Sequence, residues 1–291
     1  MYVPNSGRIA PWRQTYWDWR AAGNFIFGGA GSGTLFYTAA VPGAPPILGP
    51  IGAALVAGGL LCVWFEIGRP WRALNVFRRP GTSWMTREAL IAPWLLAAGV
   101  LELSPWRPWA RLAAAALALA YVYSQARILQ AARGIPAWRH PRTVPLMIDT
   151  GLAEGAGIGV LIGCLAAPAS ALQSRAGWLL TAFLLLRVTA VWWYRAGLRR
   201  DGAPQSLLRD LSRYAPKLLT LDACAIAAGL AHAAWPYNAL SLEAAAVLAV
   251  GAGWWWKYTL GVRLSYNQGF ALPMTPVRGA GVVGPGARPG W

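Results

Sequence analysis

Residues 47–67 read ILGPIGAALVAGGLLCVWFEI, twenty-one residues in which Glu66 is the one charge. A helix rises about 1.5 Å per residue, so this run matches the roughly 30 Å hydrocarbon thickness of a bilayer. It is closed by Gly68-Arg69-Pro70-Trp71-Arg72, basic and helix-breaking, as expected where a span leaves the membrane. Outward from it, seven further stretches carry the same signal: 24–40, 88–103, 109–130, 144–167, 177–194, 218–235 and 240–260. The third span is short, and Arg87 and Glu88 fall in its first turn. The fold expected is all-α, a polytopic membrane protein forming an eight-transmembrane-helix bundle. Residues 1–23 form a cytoplasmic N-terminal segment, 24–263 the membrane domain and 264–291 a Gly/Pro-rich cytoplasmic tail. Residues 11–20 are polar and Trp-rich, with no small-residue cleavage site and no twin-Arg export signal.

Composition agrees. Of 291 residues 56% are hydrophobic and 12% charged, with 18 Trp and 3 Cys. So apolar and aromatic a chain is not disordered. Three Cys do not build a disulfide scaffold, and so few charges cannot cover a soluble surface. The net charge of +16 carries no nucleic-acid motif or basic helix with it.

Sorted by membrane face, the charge becomes informative. Three Lys or Arg precede span one, five lie in loop 2, four in loop 4, six in loop 6, and four, Lys257 among them, follow or end span eight. That is 22 on one face. The other face has Arg107, Arg111 and Arg175, and Arg187 lies inside span six. The positive-inside rule then puts both termini and all long loops in the cytoplasm. A basic face built from long loops suits anionic lipid or an acidic soluble partner, and the long loops favour a partner.

Cofactor chemistry is scarce. His140 lies in loop 4 and His232 near the far end of span seven, a membrane thickness apart, so they cannot share a haem iron. Cys62, Cys164 and Cys224 lie in three different spans without a C-x-x-C, which reads as packed apolar thiols rather than an iron–sulfur cluster. No metal site, Walker loop, H-E-x-x-H or G-x-S-x-G is present. The chain is expected to bind neither haem nor iron–sulfur cluster and to have no catalysis of its own.

The loop between spans two and three is the most telling segment. Glu66 ends one span and Glu88 opens the next, which places both carboxylates at one depth near the basic face, with Arg69 and Arg87 close by. A carboxylate at the membrane interface beside an arginine can take and release protons; an ion-pair cluster closing the loop is the plainer alternative.

The run FEIGRPWRALNVFRRPGTSWMTRE, from Phe65 to Glu88, resembles the loop between spans two and three of the DMSO reductase membrane anchor and, more widely, of the polysulfide reductase (NrfD-like) anchor family. Gly28-Gly29-Ala30-Gly31-Ser32-Gly33 is similar to that family's glycine-rich first helix. Arg127-Ile128-Leu129 followed by Ile135-Pro136-Ala137-Trp138 is similar to its signature after span four. The resemblance covers the eight-span layout and is motif-specific over residues 24–149. It implies an anchor without haem that binds a quinone under the face that docks a ferredoxin-like iron–sulfur subunit, with a molybdopterin catalytic subunit beyond.

Two positions depart from the family. Glu66 stands where the DMSO reductase anchor has a functional His, so the proton carrier is a carboxylate or its role has moved. Leu129 stands where a Tyr is frequent; Tyr121 or Tyr123 would substitute. The tail from Asn267 to Gly279 looks like that of the anchor of phenylacetyl-CoA:acceptor oxidoreductase. The cytoplasmic sulfite:quinone oxidoreductase is a second relative whose catalytic unit suits an inward docking face. The resemblance places quinone binding and proton transfer on Glu66, Glu88, Arg87, Arg127, Asn24, Gly28 and Tyr123. Partner docking falls to Arg69, Arg72, Trp138 and His140. The expected location is the bacterial cytoplasmic membrane.

Other polar residues lie within spans: Gln125, Asp149, Glu154, Arg187, Asp222 and Glu243. Such groups face the bundle interior. Arg187 is placed to pair with Glu154 or Asp222, as a buried structural pair or as part of a proton wire. Asn24 is either a donor to a quinone carbonyl or an N-cap. Gly28, Gly31 and Gly33 allow close approach, most simply of a neighbouring helix. Trp254-Trp255-Trp256 reads as an interfacial belt. An eight-span transporter or ion pump would instead line an aqueous path with Asp149, Glu154, Arg187 and Asp222. A structural tether without quinone is a third possibility.

Overall fold

The computed structural model describes residues 11–67, 70–166, 171–235 and 239–269. These are all-α, with nine α-helices in chain order. They are α1 (Trp19–Ala40), α2 (Leu48–Glu66), α3 (Trp84–Leu101), α4 (Arg107–Ala131), the one-turn α5 (Pro136–Arg139), α6 (Thr143–Ala166), α7 (Ala171–Arg200), α8 (Gln205–Ala234) and α9 (Ala239–Tyr258). A 3₁₀ segment, Pro70–Arg78, precedes α3, and a π turn, Thr259–Arg263, continues α9. Six helices (α2, α4, α6, α7, α8 and α9) are long and apolar enough to cross a membrane on length and composition. The chain is therefore a helical membrane protein.

α1 and α3 match two of the stretches read as spans but stand outside that set of six. The reason for α1 is its position. It packs against α2, α4, α6 and α9, and most of its residues are buried, Asn24, Ser32, Thr34 and Thr38 among them. A helix lined by protein need not be apolar all round. α3 loses hydropathy through Arg87 and Glu88 near its start.

The helices form two four-membered rings. α1 packs on α2, α2 on α3, α3 on α4, and α4 returns to α1. α6 packs on α7, α7 on α8, α8 on α9, and α9 returns to α6. The two rings repeat one order, each with four helices, joined through α5. Their seam is α1 against α6, flanked by α4 on α6 and α1 on α9.

Glycine makes that seam. A Cβ at Gly33 would overlap the Gly151 carbonyl, and one at Gly155 would overlap the Gly33 and Thr34 backbone. A Cβ at Gly151 would stand 3.0 Å from the Gly29 oxygen. Gly29 and Gly33 thus face Gly151 and Gly155 as two small-xxx-small ridges, backbone on backbone. Gly31 turns the other way, against the Gly52 oxygen and Val56 of α2. The close approach at Gly31 and Gly33 is that of neighbouring helices.

The basic loops gather at one end of the bundle. There the segments before α1 and after α9 close on each other. Gln14 donates its backbone N–H to the Ser265 oxygen at 3.0 Å, and Asn267 to the Trp12 oxygen at 2.9 Å. Trp17 stacks on Trp138 with ring centroids 4.8 Å apart. Asp18, not Asn24, caps α1, its carboxylate accepting from Arg20 N at 2.8 Å. At the other end Arg107 donates to the Ala44 oxygen and Arg111 to the Thr38 and Val41 oxygens. Two of the three cations read onto that face therefore serve carbonyls there, Arg111 at the end of α1, where the helix dipole favours positive charge, and Arg107 in the segment that follows.

Candidate functional site: a buried carboxylate under the basic end

Ser83 caps α3 by accepting from Thr86 N at 3.3 Å, and Thr86 donates its hydroxyl to the Val76 oxygen of the 3₁₀ segment. This start places Glu88 in the second turn, turned inward and 6% exposed. Its Oε1 accepts from Asn24 Nδ2 of α1 at 3.2 Å and from Gln125 Nε2 of α4 at 3.0 Å. The same Gln125 Nε2 donates to the Asn24 backbone oxygen at 3.0 Å. The Tyr121 hydroxyl, also buried, lies beside the carboxylate. The room for Gln125 is made by Gly28, where a Cβ would collide with its amide and stand 3.1 Å from the Tyr121 ring.

No arginine or lysine pairs with Glu88 among the described residues. Its charge is met by neutral groups, two amides and the Tyr121 hydroxyl beside them, an arrangement that suits a group alternating between carboxylate and carboxylic acid. Asn24 Oδ1 and Gln125 Oε1 are buried and find no donor among the described residues. Both are acceptors, able to take a hydrogen bond from a hydroxyl.

A second cluster sits on the outer side of α3 and α4. Arg87 and Arg127 stack on the Trp84 ring, 4.1 and 4.5 Å from its centroid. Tyr123 meets Trp84 edge-on at 5.5 Å and accepts from Arg127 at 2.7 Å. Arg87 also donates to the Pro80 and Gly81 oxygens, 3.1 and 2.7 Å away, tying the loop to the helix that it opens. Tyr123 is 37% exposed, so this cluster faces outward.

Asn24, Gly28 and Glu88 thus meet inside, where α1, α3 and α4 converge, whereas Arg87, Tyr123 and Arg127 gather separately around Trp84 on the outer side of α3 and α4. Glu66 does not sit at the depth of Glu88. Asn24 faces Gly59 of α2, whose Cβ position is 3.2 Å from its Oδ1; Glu66 lies seven residues further, roughly 10 Å nearer the basic end. There it neighbours the charges of Asp18 and Arg20, and Arg20 donates to the Phe65 oxygen at 3.0 Å. The difference in depth arises because α2 ends at Glu66, whereas α3 begins at Trp84, before Glu88.

Two residues assigned to partner docking are interior. Trp138 is 2% exposed, stacked on Trp17, and donates Nε1–H to the Leu260 oxygen at 2.8 Å. That carbonyl belongs to the π turn. His140 is buried, with Nδ1 accepting from Arg142 N at 3.2 Å and Nε2 3.1 Å from an Asp201 carboxylate oxygen. Both rings brace the chain's own segments: the pre-α1 and post-α9 segments cover Trp138, and the end of α7 with Asp201 covers His140. Arg69, and the side chain of Arg72, lie outside the described residues.

Lys257, counted on the basic face, is instead wholly buried. Its Nζ donates to Glu154 Oε2 at 2.5 Å. Beside this pair Arg187 binds Asp222 through Nε and a terminal nitrogen, and donates to the Ala249 oxygen at 3.0 Å. Arg187 therefore pairs with Asp222, and Lys257 takes Glu154. Gly253 gives space to both, since a Cβ there would stand 2.5 Å from Glu154 Oε1 and 2.9 Å from an Arg187 nitrogen. Gly29 gives space to Lys257: a Cβ at Gly29 would collide with its Nζ and stand 3.9 Å from Gln125 Oε1. The Glu88 cluster and the two ion pairs are thus neighbours across α1, through Gly28 and Gly29. The signal in the sequence was the glycines, which make room for Gln125, Lys257, Glu154 and Arg187.

The histidines are far apart. His140 lies against Gly197 and His232 against Gly177, twenty residues along α7, or about 30 Å. They cannot share one iron. No family model and no curated protein sequence matches the chain.

Proposed function

We propose that this chain is the membrane anchor and quinone-reactive subunit of a molybdopterin/iron–sulfur oxidoreductase. In this reading all eight long helices cross a bacterial cytoplasmic membrane, with both termini and the basic end inside. The observation that carries the reading is Glu88: a buried carboxylate near the basic end, held by two neutral amides. The resemblance of the 65–88 loop to the polysulfide reductase anchors supports it.

The residues fit a quinone. Asn24 and Gln125 hold buried acceptor oxygens without donors, which suit the hydroxyls of a quinol. Tyr123 lies part-exposed at the outer surface beside Trp84, and Arg127 fixes its hydroxyl. A bound quinone supplies two-electron, two-proton redox chemistry in the membrane. Glu88 releases or takes a proton at Oε2, while Asn24 and Gln125 hold Oε1. Burial between α1, α3 and α4 keeps bulk water from the carboxylate. Arg87 holds the cytoplasmic loop shut over it. Electrons come from, or go to, a ferredoxin-like iron–sulfur subunit on the basic end; the substrate, phenylacetyl-CoA or a similar cytoplasmic compound, belongs to the molybdopterin subunit.

Purification from native membranes tests this. An iron–sulfur partner and quinone-dependent turnover, sensitive to quinone-site inhibitors, support it; a lone chain without a redox partner overturns it. One observation favours a second reading, an ion translocator. The two rings repeat one helix order, the second encloses two adjacent buried ion pairs, and parallel repeats occur in transporters. That reading expects charge movement in proteoliposomes without any redox partner.

A further inference from the structure

Between α7 and α8, outside the two ion pairs, runs an open groove of about 710 Å³. Its α8 wall is Leu219, Ala223 and Ala227, with Thr220 and Cys224 beside them. These positions recur every three or four residues and so form one face of the helix. Its α7 wall is Trp192 and Arg195.

Arg195 is 9% exposed, yet it has no acidic partner and no hydrogen bond to any described residue. What it meets is the Trp192 ring, 5.1 Å from its guanidinium carbon, and the like charge of Arg199 one turn on. The other buried cations of the membrane core, Arg187 and Lys257, each hold a carboxylate. The unpaired nitrogens of Arg195 are not wholly enclosed and open onto the groove, where a charge facing hydrocarbon without a counter-ion is unfavourable. Arg195 stands five residues before the end of α7, about 7 Å inside the basic end, the depth of a phosphate at the bilayer surface. Trp192 and Cys224 on its walls are exposed, so the groove opens sideways, toward lipid.

We propose that this groove is a binding site for an anionic glycerophospholipid. Its phosphate pairs with the Arg195 guanidinium, and an acyl chain lies along Leu219, Ala223 and Ala227. A free phosphate would leave the apolar wall bare; a neutral lipid would leave Arg195 unpaired. Arg199 adds a second cation at the mouth. The site is separate from Glu88, which lies in the other ring.

The test uses the full chain in nanodiscs containing phosphatidylglycerol or phosphatidylcholine with a diazirine on the acyl chain. After photolysis, adducts on the 219–227 peptide are quantified by mass spectrometry. We expect phosphatidylglycerol to label at least tenfold more than phosphatidylcholine. Arg195→Gln removes most of that preference, Arg195→Lys keeps it, and Arg213→Gln, on the exposed surface, leaves it intact. A titration of phosphatidylglycerol in the wild-type chain gives saturable labelling, which decides the matter even if Arg195→Gln fails to fold. Equal labelling by both lipids, labelling linear in lipid, or complete displacement by ubiquinone at low mole fraction overturns the proposal.

Discussion

Lys257 Nζ on α9 donates to Glu154 Oε2 on α6 at 2.5 Å, and neither side chain reaches solvent. The pair sits beside the seam of the two rings, where Gly29 and Gly253 leave it room. Removing one member strands the other charge in the protein interior, at a cost of about 3–5 kcal/mol. We therefore expect Glu154→Gln and Lys257→Met each to lower thermal stability in detergent sharply. The double variant should recover more than half of the loss, since it buries no lone charge. Additive losses in a double-mutant cycle would show that the pair is not coupled.

The seam itself depends on bare backbone. Gly155→Ala places a methyl group into the Gly33–Thr34 backbone and is expected to cost roughly 1–3 kcal/mol by overpacking. Gly58→Ala, in α2, meets nothing within 4 Å and should stabilise the helix by about 0.5–1 kcal/mol. Unfolding midpoints of the two variants should move in opposite directions.

His140 makes stability fall in acid. Burial holds its imidazole below the ordinary histidine value, against the pull of Asp201 toward the charged form. Its Nδ1 already accepts from Arg142 N, so protonation there breaks a hydrogen bond. The unfolded chain then binds the proton more tightly than the folded one. Stability is full above the unfolded value of about 6.5 and declines as pH falls below it. Thermal melts from pH 7.5 to 5 should show the decline, and His140→Asn, which titrates nowhere in that range, should flatten it.

Trp138 supports the π turn rather than a partner. Trp138→Phe keeps most of the stacking on Trp17 but leaves the Leu260 carbonyl without its donor. A loss of about 1 kcal/mol is expected, with no change in capture of an iron–sulfur subunit on a pull-down. A weakened pull-down at unchanged stability would restore the docking role.

The helices were legible because hydropathy at helical length needs no tertiary information. The α2 run, with Glu66 at its end, illustrates this. α1 and α3 were legible too, although their polarity keeps them outside the set of apolar spans, since a central helix such as α1 exposes little to lipid. The loop and glycine motifs point to Glu88, Asn24 and Gly28, which meet inside, and to Arg87, Arg127 and Tyr123, which gather apart from them around Trp84. What sequence could not fix was depth and partner. Lys257 sits at the basic end of a span by count, yet turns inward because Gly29 gives it space and Glu154 gives it a charge. Trp138 and His140 look like surface groups in a loop, yet the chain's own segments fold over them. Asp222 and Glu154 competed for Arg187 on paper; only packing of α7 on α8 and α6 on α9 decides between them.

Glu88→Gln in the purified, reconstituted complex is the most direct measurement. The substituted amide keeps an oxygen for Asn24 and Gln125, so the fold and the partner subunits should be retained, but it carries no exchangeable carboxyl proton. We expect quinone-coupled turnover to fall about a hundredfold, the lower range for loss of a general acid–base group, while dye-coupled turnover at the iron–sulfur subunit is unchanged. Quinone-coupled turnover equal to that of the wild type would contradict the assignment.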